Sequence, residues 1–141
     1  MSIAVRYISR GGNTKKVAEA IAAAAVDVEA HDCGTPVTEP VDLMFLGGAV
    51  YAFGLDEEMA SFIGSLDVTT VKAVAVFGTS AIVKSGNSKI TALLKAKGIR
   101  VLEEEFYCRG EFKFMHKSRP NADDLDKAAR FAERAMSGLD I

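Results

Sequence analysis

The sequence predicts an α/β domain built as a three-layer α/β/α sandwich, with a five-stranded parallel sheet in strand order 2-1-3-4-5. Three observations carry that expectation. Short apolar runs alternate with stretches at helical spacing along the whole chain. One run, Val41-Asp42-Leu43-Met44-Phe45-Leu46-Gly47, is nearly continuous rather than alternating, as suits a central parallel strand covered on both faces. The first run passes through a glycine-bearing turn directly into an alanine-rich helix. Right-handed crossovers leave few arrangements for such a pattern, and the stated order is a common five-stranded one.

The elements follow in order. Residues 2–9 read as a strand with Ile3, Val5 and Tyr7 on one face. Residues 13–25 read as a helix with Val17 and Ile21 inward, and Asn13 is its expected N-cap. Residues 26–32 form a weak strand suited to a sheet edge, and Gly34, Pro36 and Pro40 mark a loop over 33–40 with room for a short helical turn. After the strand at 41–47, residues 55–66 read as a helix with an acidic first turn at Asp56, Glu57 and Glu58. Residues 71–78 form a second buried strand. Residues 87–97 form a helix that Gly98 ends. Residues 99–107 read as the fifth strand, 108–120 as irregular, and 121–137 as a closing helix capped by Asn121.

Composition narrows the function. The chain has 141 residues, enough for one domain over 1–141 with a full core, and 49% of them are hydrophobic. No run approaches the roughly 18 apolar residues of a membrane span. The N-terminus lacks the basic and apolar regions of a signal peptide, so a cytoplasmic protein is expected. A net charge of −2 argues against a nucleic-acid binder. Cys33 and Cys108 are not spaced as a metal site or a redox pair and are expected as free thiols, too far apart across the sheet to be bridged. No metal site is expected.

The chemistry is expected beyond the carboxyl ends of the strands, where the strand order reverses between strands one and three. Strand one runs into Ser9-Arg10-Gly11-Gly12-Asn13-Thr14. Backbone N–H groups at a helix start lack intrahelical partners and sit at the positive end of the dipole. Glycines let such a turn close around an anion, so the segment reads as a phosphate cradle, or as an ordinary strand-to-helix turn. Strand three leads into Ala49-Val50-Tyr51-Ala52-Phe53, and strand four into Thr79-Ser80-Ala81, with Lys84 and Gly86 following. A phosphate site beside aromatics suits a flat heterocycle with a phosphate tail. The dinucleotide fingerprint, the P-loop, zinc-protease and serine-hydrolase motifs are all missing, and phospho-receiver carboxylates are absent from the ends of strands one and three. His31 and His116 are isolated.

These residues resemble the flavodoxin family. Ser9-Arg10-Gly11-Gly12-Asn13-Thr14 is similar to its phosphate loop, [ST]-x-T-G-N-T, with Gly11 in place of a threonine. Phe45-Leu46-Gly47-Gly48-Ala49-Val50-Tyr51 resembles the ending of its third strand, and Val76-Phe77-Gly78-Thr79 that of its fourth. Arg119-Pro120-Asn121-Ala122-Asp123-Asp124-Leu125 resembles the lead into its last helix. The resemblance spans essentially the whole chain. It implies a flavodoxin-like, short-chain FMN-binding protein that passes electrons between a reductase and an acceptor.

By that resemblance Ser9, Arg10, Gly11, Gly12, Asn13 and Thr14 hold the phosphate. Ala49, Val50, Tyr51, Ala52, Phe53, Thr79, Ser80, Ala81 and Gly86 border the ring, and Cys108, Arg109 and Gly110 close the site's edge. Arg10, Lys84 and Arg109 add cations, which predicts a less negative potential than acidic relatives show; Asp56, Glu57 and Glu58 oppose them. Two other readings share the loops: an FMN-dependent reductase or oxidase of a quinone-like molecule, and a binding module for another phosphate ligand.

Overall fold

The computed structural model describes residues 1–49, 56–80, 87–111 and 117–139. The elements are β1 (Ile3–Tyr7), α1 (Asn13–Ala25), β2 (Ala30–Asp32), β3 (Val41–Ala49), α2 (Glu57–Gly64), β4 (Val71–Ser80), α3 (Asn87–Ala96), β5 (Arg100–Val101), β6 (Phe106–Arg109) and α4 (Ala122–Leu139). All pairings are parallel, and the order β2-β1-β3-β4-β5 is the expected one.

Alternation along the central strands splits the core in two. Val5, Leu43, Phe45, Ala73, Ala75 and Phe77 meet α1 and α4, where Phe131 stands edge-on to Phe45 with ring centroids 5.9 Å apart. Ala4, Met44, Leu46, Val74 and Val76 meet Met59, Phe62 and Ile63 of α2 and Ile90 and Leu94 of α3. Burial of both faces explains why β3 and β4 read as apolar runs.

The expected fifth strand is a correction. It divides into β5 and β6, both paired with β4, one along its first half and the other at its end. Between them stand Glu103, Glu104 and Glu105, all exposed. Three consecutive carboxylates leave at least one on a covered sheet face, so the chain departs and returns. Cys108 and Arg109 therefore lie in β6 and not in irregular chain.

The connection over 33–40 contains no helical turn. Arg6, 8% exposed on β1, takes over part of that cover. Its Nε donates to Thr35 O at 3.0 Å and its Nη2 to Pro36 O at 3.3 Å, which ties the loop to the sheet. The expected short strand at 26–32 shrinks to Ala30–Asp32, because Val26 and Asp27 end α1 at φ 58° and 61°. The closing helix does carry the expected cap. Asn121 Oδ1 accepts from Asp124 N at 2.9 Å, and Asp124 Oδ2 accepts from Asn121 N at 2.8 Å.

Candidate functional site

Strand β1 delivers the chain to the switch point, where Ile8 N donates to Gly47 O of β3 at 3.0 Å. The turn then closes on itself: Ser9 Oγ accepts from Gly12 N at 3.0 Å. Gly12, at φ 91° and ψ −7°, is the N-cap residue of α1, a conformation that L side chains rarely adopt. Asn13 is not the cap that the sequence suggested; it is the first helical residue. Lys16 N donates to Gly12 O at 3.1 Å as the helix begins.

Among the described residues, the backbone N–H groups of Gly11, Asn13, Thr14 and Lys15 have no acceptor. A Cβ built on Gly11 or Gly12 meets nothing within 4 Å, so the space over the loop is open. Several unpaired donors around open space at a helix start fit a phosphate group.

The polar side chains of the loop point elsewhere. Asn13 Nδ2 donates to Glu111 O at 2.8 Å, across to the segment after β6. Gly110 is buried beneath that bond, and a Cβ there stands 2.6 Å from Asn13 Nδ2. Thr14, fully buried, shares a 2.8 Å hydrogen bond with Thr79 of β4. These two side chains thus brace the loop against the segment after β6 and the end of β4, and the N–H groups named above stay unpaired among the described residues.

Arg10 Nε and Nη2 donate to Asp56 Oδ2 at 3.2 and 2.7 Å, and Nη2 also to Glu58 Oε1 at 3.2 Å. Burial disfavours the Asp56 charge, but Arg10 and the Glu58 N–H outweigh it and hold the carboxyl below its usual range. Two carboxylates therefore offset the Arg10 cation at its source. The sequence treated those charges as separate influences on a bound ligand.

At the third strand end, Ala49 closes β3; Val50, Tyr51, Ala52 and Phe53 lie outside the described residues, as do Ala81, Lys84, Gly86 and His116. Thr79 and Ser80 close β4, both buried. Ser80 Oγ is 2.8 Å from the Tyr107 hydroxyl, and the Arg109 guanidinium lies 5.7 Å from the Tyr107 ring centroid. Cys108 points the other way, 6% exposed in the core shared by α1 and α4, where burial pushes its thiol up to about 12. The structure thus separates the trio Cys108, Arg109 and Gly110. Arg109 joins the β4 end, Gly110 packs on Asn13, and Cys108 is core.

Sequence reasoning missed Tyr107, Asn87 and the pairing role of Asp56. Tyr107 and Arg109 stand two apart on a strand, which places them on one face. Asn87, 1% exposed, donates from Nδ2 to Phe106 O at 2.9 Å and so ties the start of α3 to β6.

A doubly wound parallel sheet whose switch-point loop has, among the described residues, unpaired backbone donors at a helix start is the architecture in which α/β proteins hold ligands beyond their strand ends. A family model described as a flavodoxin domain matches residues 4–118, and the chain belongs to the flavodoxin family. An uncharacterized protein of Methanocaldococcus jannaschii is 30% identical over 137 residues, covering 88% of this chain and 90% of that protein. Among solved structures, a flavodoxin from the domain Archaea superposes with a TM-score of 0.83 at 19% identity, over 100% of both chains. Oxidised flavodoxin 1 of Bacillus cereus gives 0.77 at 22% identity, over 97% of this chain and 98% of the other. Those two likenesses concern the fold. Flavodoxins carry a flavin and pass electrons to partner proteins, and this chain is a flavodoxin-like electron-transfer protein. Among the described residues no helix is long and apolar enough to cross a membrane, and no group of three or more His, Cys, Asp and Glu is placed to hold a metal.

Proposed function

We propose that the protein binds FMN non-covalently and carries electrons between a reductase and an acceptor protein in the cytoplasm. The observation that carries the reading is the braced loop whose N–H groups on Gly11, Asn13, Thr14 and Lys15 have no acceptor among the described residues, at the strand switch point of a flavodoxin-family chain. Bound there, FMN supplies one- and two-electron redox chemistry, which is the cofactor's own. The chain's residues bind and orient. The loop's N–H groups take the phosphate, Gly12 gives the turn its left-handed step, and Thr14 and Asn13 hold the helix start in place. By the family resemblance, residues 49–53 and 79–86 border the ring. The free thiols of Cys33 and Cys108 suit a reducing compartment.

The test is the visible spectrum of the purified protein, followed by titration of the apo form with FMN while flavin fluorescence is recorded. Saturation near one FMN per chain supports the reading. No binding at micromolar FMN, with phosphate binding retained, overturns it in favour of another phosphate ligand. Steady NAD(P)H-driven reduction of a quinone without a partner protein overturns the carrier role and leaves the cofactor assignment standing.

A further inference from the structure

We propose that Arg10 is a positioning residue of the flavin site, acting through Asp56 and not by contact with the phosphate. The inference rests on the flavin-binding reading above. Arg10 sits in the phosphate loop, yet its guanidinium reaches across to the start of α2. There one carboxylate serves two elements. Asp56 Oδ1 accepts from Glu58 N at 2.8 Å and caps α2, while Oδ2 accepts from Arg10 Nε and Nη2. The cap and the ion pair therefore fix each other.

Chain order gives this tie its meaning. In the sequence Asp56 comes three positions after Phe53, the last of residues 49–53, which the family resemblance sets beside the ring. One end of the tie is the phosphate loop, and the other is the point where that second segment becomes helix. Turning Arg10 toward a phosphate would strand Asp56, whose side chain is only 16% exposed, without its cation. Glu58 adds a second acceptor on the same side. The charges favour keeping Arg10 where it is.

Riboflavin, which has the ring but no phosphate, separates the two roles. The proteins are wild type, Arg10→Ala, Asp56→Asn and the double variant, each checked for its fold by far-UV circular dichroism. Asparagine is as good a helix cap as aspartate, so Asp56→Asn removes the charge and keeps α2. The dissociation constants of FMN and riboflavin are read by flavin fluorescence. Each single variant is expected to weaken both ligands alike, by about fivefold, and the double variant to be no weaker than either single. Salt of about 1 M, with its Debye length of ~3 Å, is expected to bring the wild-type riboflavin affinity down to that of the variants.

A loss confined to FMN makes Arg10 a phosphate ligand and overturns the proposal. Unchanged affinities, or losses that multiply in the double variant, overturn it as well. If the wild type binds neither flavin, the flavin reading itself falls, an outcome distinct from the others because no variant is needed to see it.

Discussion

Gly110→Ala is the sharpest test of how the loop is held. A Cβ at Gly110 lies 2.6 Å from Asn13 Nδ2, 2.9 Å from its Cγ and 3.0 Å from its Cβ. Favourable contact needs about 3.5–4.0 Å, so the whole Asn13 side chain must shift, not just its tip. Moving it breaks the 2.8 Å bond to Glu111 O. Overpacking costs about 1–3 kcal/mol and the lost hydrogen bond about 1 kcal/mol. We expect a loss of about 2–3 kcal/mol, which for a domain of this size lowers Tm by about 8 °C. The control is Gly11→Ala, two residues before the start of α1: its Cβ meets nothing within 4 Å, and its φ is not in the left-handed region. That variant is expected to keep the wild-type Tm or raise it slightly, because alanine restricts the unfolded chain. Thermal unfolding of both apo variants, followed by circular dichroism, is the assay. A Gly110→Ala protein melting within about 1 °C of wild type, set against that ~8 °C, would refute the contact argument.

Val26 is 69% exposed at φ 58°, a β-branched residue in a region that costs about 1–3 kcal/mol. Val26→Gly is expected to raise Tm; a fall would show that the turn is not strained. Asp124 is 5% exposed. Burial opposes its charge, but Arg119 and the Asn121 N–H prevail and hold its carboxyl below the usual range. A depressed carboxylate contributes stability that is present above the unfolded value, about 3.9, and lost as pH falls through the folded one. The Tm difference between wild type and Asp124→Asn is therefore expected to be constant from neutral pH down to about 5 and to shrink below about 4; a difference that persists at low pH would assign the effect to packing. Burial pushes the thiols of Cys33 and Cys108 up to about 12. Both should react slowly with a disulfide reagent at pH 8 in the folded protein and promptly in denaturant, and a fast folded-state phase would contradict their placement.

The parts of the fold that were legible in the sequence are those whose signal is their own burial. Strands β3 and β4 are covered on both faces, so each appears as an apolar run. Helix α1 appears through the spacing of Val17 and Ile21, both fully buried. The last strand was misread although its break is visible: Glu103, Glu104 and Glu105 cannot all stay on a half-buried strand, and the apolar residues on either side concealed the interruption. The missing helix after β2 was less accessible. Its replacement depends on Arg6, whose carbonyl partners stand 29 and 30 residues away.

The same distinction governs the site. The shape of the loop, with its unpaired N–H groups, depends on local backbone, on one glycine at positive φ and a helix that starts next to it, and a cradle there could be expected from a few residues. What the loop's side chains do depends on partners 46, 65 and 98 residues away, for Arg10, Thr14 and Asn13 in turn. A local motif contains none of that. In the structure Asn13, Thr14 and Arg10 bond to neighbouring elements and so fix the loop whose backbone N–H groups are unpaired among the described residues. This also gives the departure at Gly11 a different weight. The resemblance places a threonine there, and the glycine at first suggests a weakened site. Yet no bracing contact involves a side chain at that position, and the space beside it is open. A glycine at 11 therefore takes nothing from the frame that holds the N–H groups. On the proposed FMN reading it removes one hydrogen bond to the phosphate, worth about 0.5–1.5 kcal/mol, which would modulate affinity and leave the loop's frame intact.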